Sequence, residues 1–264
     1  MKNRLNNEIK YEDKYDKFGF IIINLFSPKL IDQLKLELEK KIIKKTNNEN
    51  LYKKNNNFLK NFHKYKFTDK EKKKNFEPSN RFIKLKSKFL KKIKNKYIIQ
   101  NILIKNWKHR QYKIKWVASL KKKQIKDNVC GFRICEPKTK GVGAHLDLHV
   151  GGKILNDLNV LKSLWIPLEG FDKKYTLNIS PKSHIVNHPV KKFIKQKKFI
   201  SNVFQKKYVK KFKFKRFSLK KGDAILFHPN LLHGGTNNKG INSRVSLEIR
   251  LYNKKNIFKW LPNK

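Results

Sequence analysis

The sequence predicts a mostly β domain with flanking helices, of α+β type. An α-rich first part leads into antiparallel strands that close as a jelly roll, a double-stranded β-helix. Three observations predict it. Near the N-terminus, apolar residues recur at helical spacing. From Phe132 onward, short apolar runs separated by turn dipeptides replace that spacing. No internal repeat or linker-like composition divides the 264 residues, a length that one β-rich domain can fill. We therefore expect one domain over 1–264, α-rich over 1–128, with its jelly-roll core over 129–253.

Phe18-Gly19-Phe20-Ile21-Ile22-Ile23 is β-branched, apolar and bounded by polar residues, and predicts a short buried strand. Ser27-Pro28 follows as a helix N-cap with proline at the first helical position. Leu30, Ile31, Leu34, Leu38 and Ile42 then carry a helix to about Ile43. Thr46 to Asn61 is rich in Asn and Lys and predicts a loop. Leu85, Phe89, Ile93 and Tyr97 step by four with lysines between, which predicts a basic amphipathic helix facing the core. The stretch from Ile98 to Asn128 shows no dominant period. Strands are expected at Phe132–Cys135, Ala144–Val150, Leu161–Leu168, Phe212–Leu219, Ala224–Phe227 and Val245–Tyr252. Lys221-Gly222-Asp223, Gly234-Gly235 and Asn237-Asn238 supply turns between them.

Sixty-six Lys and Arg against 19 Asp and Glu leave a formal charge of +47. Three origins compete. The abundance of Lys, Asn, Ile and Phe fits a compositional bias toward A/T-rich codons, which accounts for most of the lysine. A polyanionic partner such as nucleic acid or an acidic membrane surface is the second. An acidic small-molecule substrate is the third. The basic residues run along the whole chain rather than forming a tail, which counts against a dedicated nucleic-acid arm. Cys130 and Cys135 are too few for a disulfide framework and lack the second pair a structural zinc site needs. The N-terminal residues are polar, and no run approaches the ~18 apolar residues of a membrane span. A reduced, cytoplasmic protein without a transmembrane segment is the expectation.

Gly143-Ala144-His145-Leu146-Asp147-Leu148-His149 carries the chemistry. On a strand, residues two apart share a face, so His145 and Asp147 point the same way. His149 shares that face if the strand is regular, and a different choice of ligand stays open; a deeper or supporting position suits it better. A third ligand from a remote strand would complete two imidazoles and one carboxylate, the arrangement of non-haem Fe(II) oxygenases. His233 has rivals in His228 and His184. Asp223 to His228 reads as a buried strand stopped at Pro229, and Leu231-Leu232-His233-Gly234-Gly235 places His233 at the rim just after it. The glycines there permit close backbone approach. Arg244 and Ser246, two apart on the next strand, together suit a carboxylate: a bidentate guanidinium and a hydroxyl.

The ordered set His145-x-Asp147, His233 and Arg244 resembles the phytanoyl-CoA dioxygenase family of Fe(II)/2-oxoglutarate oxygenases. So do Leu164-Trp165-Ile166-Pro167-Leu168, Ile179-Ser180-Pro181-Lys182-Ser183-His184, and the opening Phe18-Gly19-Phe20-Ile21-Ile22 with Phe26-Ser27. The resemblance runs from about residue 11 to 252, with 44–128 unmatched. Lys182 stands where the family usually has glycine. Lys173-Lys174-Tyr175 replaces a Glu-Asn-Gly that often precedes that turn.

The resemblance implies a cupin-like jelly roll in which His145, Asp147 and His233 hold Fe(II). It implies that 2-oxoglutarate is held through its far carboxylate by Arg244, with Ser246 beside it, and that O2 is co-substrate. The products would be succinate, CO2 and a hydroxylated substrate. No catalytic residue beyond the metal ligands is expected. In related halogenases a small residue stands at the position of Asp147; a carboxylate there argues for hydroxylation or another hydrogen-abstraction outcome such as desaturation. Trp165 and His149 are candidates for the pocket wall, with a plain core role for Trp165 equally weighted. His184 is expected to close its loop. The basic stretch Asn187–Lys211 reads as a solvated loop or as a lid able to attract an anionic substrate. The expected partner is a small molecule such as a sugar, a lipid or a secondary-metabolism intermediate, an anionic one being among the options the charge leaves open. A nucleic-acid-directed oxygenase and a non-catalytic basic binding module on the same fold are the alternatives. Substrate identity and oligomeric state are not encoded in any motif of the chain.

Overall fold

A computed structural model of the chain describes residues 13–46, 57–65, 82–85, 112–114, 130–139, 141–147, 149–150, 153–154, 161–189, 193–195, 200–234 and 237–253. β1 (Phe20–Asn24) leads into α1 (Pro28–Thr46). Short strands β2 (Phe82–Leu85) and β3 (Tyr112–Ile114) come next. β4 (Cys130–Cys135), β5 (His149–Val150), β6 (Lys153–Ile154) and β7 (Leu161–Glu169) open the expected β half. β8 (Phe193–Lys195), β9 (Ile200–Phe204), the single-turn helix α2 (Lys206–Val209), β10 (Asp223–Phe227) and β11 (Arg244–Asn253) complete it. The main sheet has the order β1-β10-β7-β11-β4-β2, with β3 on the far end of β11 and every pairing antiparallel.

Alternation along these strands divides the sheet into two chemically different faces. Ile21 and Ile23 of β1, Phe132 and Ile134 of β4, Leu164, Ile166 and Leu168 of β7, Ala224 and Leu226 of β10, and Val245, Leu247 and Ile249 of β11 form one core. Helix α1 covers it with Ile31, Leu34, Leu38 and Ile42, all buried. Each such side chain contributes roughly 1.5–3 kcal/mol by leaving water. The Ser27 hydroxyl accepts the Leu30 amide at 3.2 Å, so the helix starts where its capping residue predicts. Phe58, Leu59 and Phe62 also enter this core. Part of the stretch expected as loop over Thr46–Asn61 is therefore packed, because apolar residues among the asparagines have somewhere to go.

The sheet's other face looks toward a thinner second layer, in which segments touch through single bridges. Val203 pairs with His145, His145 with His233, His233 with Ile179, and Ile179 with Lys215. This completes the jelly roll. The register of β7 against β11 shifts between Val245 and Ser246, beside Pro167. Proline brings no amide hydrogen to the ladder, so a central strand can carry it only at such an irregularity.

Two expected strands are corrected by this layer. Ala144–Val150 is not one regular strand: His145 makes an isolated bridge, and the chain turns at Asp147, whose amide bonds to the Pro229 carbonyl at 3.0 Å. Phe212–Leu219 is likewise not a strand beyond the Lys215 bridge. Arg216 there spends its guanidinium on the carbonyls of Lys173, Lys174 and Asn237. Leu85, expected to open a helix, lies in β2, while Phe89, Ile93 and Tyr97 lie outside the described residues.

Candidate active site

His145 and His233 are held face to face by their own backbones. The His145 amide donates to the His233 carbonyl at 2.9 Å, and the His233 amide returns a bond to the His145 carbonyl at 3.1 Å. Their ring centroids stand 4.3 Å apart. Gly234 follows at φ 94°, and a Cβ there would lie 2.8 Å from Nδ1 of His145. Both the left-handed backbone and the crowding require glycine at this position.

Each imidazole is turned the same way by the same device. Nδ1 of His145 meets the Gly143 carbonyl at 2.8 Å, and Nδ1 of His233 meets the Leu231 carbonyl at 2.9 Å. A carbonyl only accepts, so each Nδ1 carries the hydrogen and each Nε2 presents a lone pair. Asp147 completes the trio. The Ser163 hydroxyl of β7 donates to its Oδ2, while Oδ1 lies 3.8 Å from Nε2 of His233. One donor atom from each of the three residues lies within 4.8 Å of the others. Burial, followed by the neighbouring His233, pushes the His145 ring down to about 3, so it stays neutral at ordinary pH. Metal ligation demands neutral imidazoles and an ionised carboxylate. Supporting hydrogen bonds that fix tautomer and orientation are the usual surroundings of such ligands. The trio therefore fits a divalent transition metal.

The same cavity is lined by Arg133, Val142, Trp165, Phe227, Arg244 and Glu248 among others. Arg244 is buried at the start of β11, donating from Nη1 to the Tyr175 carbonyl at 3.2 Å and from Nη2 to Sγ of Cys135 at 2.8 Å. Ser246, two residues on, is fully buried, and its hydroxyl has no hydrogen-bond partner among the described residues. A buried hydroxyl left without a partner can still accept or donate to a ligand, while Arg244 rather than Ser246 lines the cavity. Trp165 both lines the cavity and packs against Leu177, Ile225 and Phe227, so its two expected roles coincide. His149 lies in β5, which pairs with β6 apart from the main sheet.

His184 and His228, the rivals of His233, sit elsewhere with rings 5.3 Å apart. His184 bonds the Asp16 carbonyl through Nε2 and closes its loop. Lys182 adopts φ 65°, the left-handed conformation that glycine takes without strain. The loop carrying Lys173-Lys174-Tyr175 reaches further in than its sequence implied, since the Tyr175 carbonyl receives Arg244. Within Asn187–Lys211, the described part anchors itself through a few buried side chains while the lysines in and just after α2 stay exposed. Phe204 and Tyr208 bury against Ala144, Leu146 and Leu232, and His188 ties Tyr208 to the Ser183 carbonyl.

Four site residues escaped sequence reasoning: Ser163, Cys135 and the pair Arg133–Glu248. Nε of Arg133 donates to Oε1 of Glu248 at 2.7 Å and Nη2 to Oε2 at 3.2 Å. Burial works against the Arg133 charge, yet Glu248 above all, then Cys135 and Asp147, hold it more firmly protonated than an ordinary arginine. The signal for these residues was the alternation of β4 and β11, which sends Arg133, Cys135, Arg244, Ser246 and Glu248 to the face opposite the core.

A jelly roll holding two imidazoles, a carboxylate and a buried arginine around one cavity has the build of a metal-dependent oxygenase. The phytanoyl-CoA dioxygenase family model matches residues 15–246, and the chain belongs to that family of Fe(II)/2-oxoglutarate-dependent oxygenases. No curated protein matches it in sequence. Solved structures share the fold. The non-haem alpha-ketoglutarate-dependent carbocyclase SnoK from nogalamycin biosynthesis is 12% identical, with 92% of this chain and 83% of that chain covered at a TM-score of 0.59. The epimerase SnoN, in complex with Fe3+, alpha-ketoglutarate and nogalamycin RO, is 10% identical, with coverage of 94% and 84% and a TM-score of 0.59. EctD from S. alaskensis, with 2-oxoglutarate and 5-hydroxyectoine, is 13% identical, with coverage of 94% and 76% and a TM-score of 0.59. No described helix is long and apolar enough to cross a membrane.

Proposed function

We propose that this oxygenase hydroxylates a C–H bond of a small metabolite. His145, Asp147 and His233 serve as its iron ligands, and Arg244 with Ser246 takes the far carboxylate of 2-oxoglutarate. The observation that carries the proposal is the trio of donor atoms within 4.8 Å, with both Nδ1 atoms already engaged by backbone carbonyls. With iron held by these residues, 2-oxoglutarate and O2 would supply the oxidising power for C–H cleavage: one oxygen atom ends in the substrate hydroxyl and the other in succinate, and CO2 is released. The protein's part is placement. Ser163 aims the Asp147 carboxylate, Gly143 and Leu231 aim the two rings, and Tyr175 and Cys135 hold the Arg244 fork. Trp165 and Phe227 wall the cavity with apolar surface, which keeps competing water from the site. A small-molecule substrate is supported by the ligands in the similar structures, nogalamycin RO and 5-hydroxyectoine.

The test is succinate formation by anaerobically purified protein given Fe(II), 2-oxoglutarate and O2, together with the absorption band of the iron–2-oxoglutarate complex. Asp147→Ala and His233→Ala should abolish both. Retained activity in either variant would mean that the ligands are misassigned. The +47 charge supports a second reading, an oxygenase acting on nucleic acid. That reading requires polynucleotide binding that weakens steeply with salt and turnover of the bound strand; absent or salt-insensitive binding would exclude it.

A further inference from the structure

We propose that Glu248, held by Arg133, is a specificity-determining residue that receives a hydrogen-bond donor of the substrate, a hydroxyl or a protonated amine. The inference rests on the oxygenase reading above and names the substrate class of that same cavity.

Strand β11 sends Val245, Leu247 and Ile249 into the α1-covered core. Arg244, Ser246 and Glu248 go to the cavity side. The first two are matched to the carboxylate of 2-oxoglutarate. Glu248 is the next inward residue, and together with Arg133 and the three metal-site residues it lines the cavity. Its neighbour across the ladder to β7 is Trp165, and across the ladder to β4 it is Gly131. Gly131 offers no side chain, so nothing from that position screens the carboxylate.

The pair is neither sealed nor on the outer surface. The side chains of Arg133 and Glu248 retain 18% and 21% of their exposure. Arg133 supplies one hydrogen bond to each carboxylate oxygen. An ionised carboxylate has about four acceptor positions, so roughly half remain. Among the described residues, Arg133 is the one side chain that bonds the Glu248 carboxylate. Desolvating an ion pair beside a metal site costs stability that apolar residues of similar size would not. A ligand donor that uses the remaining lone pairs gives that cost a purpose. The pair is neutral as a unit and acceptor-only on its Glu248 side. It therefore selects a substrate bearing O–H or N–H groups, and it disfavours the anionic substrate that net charge alone suggests.

The holoprotein tests this, with Fe(II) and 2-oxoglutarate bound under anaerobic conditions. Perturbation of the iron–2-oxoglutarate absorption band is titrated with glucosamine, sorbitol, glucose 6-phosphate and octanoate. Glucosamine or sorbitol should give a saturable shift. Glu248→Gln, which keeps the shape and one of the two hydrogen bonds from Arg133, should weaken it about tenfold or more. The same variant should leave the affinity for 2-oxoglutarate and the absorption band of the iron–2-oxoglutarate complex as they are, which a merely structural residue would not. Three outcomes overturn the inference: binding of octanoate or glucose 6-phosphate in preference to both donors, binding of none of the four, or donor affinity unaffected in Glu248→Gln. Absence of the absorption band in the unsubstituted protein would instead defeat the oxygenase reading itself, so the two failures are distinguishable.

Discussion

Replacing Ser163 by alanine removes the hydroxyl that aims Asp147 while leaving every proposed ligand in place. Ser163 is 2% exposed, so water has little access to take over the donor role. A hydrogen bond to a charged acceptor is worth about 1.5–3 kcal/mol, which corresponds to roughly 10- to 150-fold in affinity. Partners that orient metal ligands typically cost about 10–100-fold when removed, and the two figures agree. We therefore expect Ser163→Ala to weaken Fe(II) or Co(II) binding by one to two orders of magnitude. Anaerobic titration of the apoprotein against a competing chelator measures this directly. Ser163→Thr, which keeps the hydroxyl, should recover most of the affinity. A Ser163→Ala affinity within about twofold of the starting protein would refute the reasoning, because the Asp147 carboxylate would then need no orienting donor.

Cys135→Ala should raise the KM for 2-oxoglutarate by roughly three- to tenfold, with kcat retained, because the thiol holds Nη2 of Arg244 through one modest hydrogen bond. Cys135→Ser should restore part of the loss, and steady-state succinate kinetics at varied 2-oxoglutarate give the answer. Lys182→Gly should stabilise the fold. It relieves a left-handed backbone cost of about 1–2 kcal/mol at an exposed side chain, against about 0.5–1 kcal/mol of added chain entropy. A rise in Tm of about 1–3 °C is expected by calorimetry. The pH dependence of stability reports on His228, whose ring is pushed down to about 4 by burial, then by His184 and Lys162. The unfolded chain takes up a proton near 6.5 that the folded chain refuses until about 4. Its contribution is thus fully present above pH 6.5 and is lost as the pH falls toward 4. His228→Asn should flatten that part of a denaturation-versus-pH curve.

Much of the site was legible because its residues sit at fixed offsets on chemically distinctive stretches. His145, Asp147 and His233 come together, and Arg244 lines the same cavity. The reason given for the first pair was incomplete. A regular strand does not carry His145 and Asp147; a single bridge and a turn held by the Pro229 carbonyl do. Such tertiary hydrogen bonds leave no periodicity in the sequence. Ser163 was hidden for a related reason. It lies 16 positions from Asp147, and serine on a strand is common. Arg133 and Glu248 were readable in principle, since each interrupts an apolar alternation, but in a chain with 66 basic residues another arginine draws no notice. The helix at α1 was legible because its buried residues recur at helical spacing, and β7 and β11 because they are long strands buried almost continuously. The second layer was not, because its segments touch at one residue each.

The mutual backbone bonds between His145 and His233 join two residues far apart in sequence into one clasp. Their separation is set where the two segments meet, and not by the chain that runs between them. That intervening chain holds β7 and β10, yet it also holds a lysine-rich stretch from Lys191 to Lys198. A lineage drifting toward lysine and asparagine can thus rewrite most of its surface while the distance between the two rings is preserved.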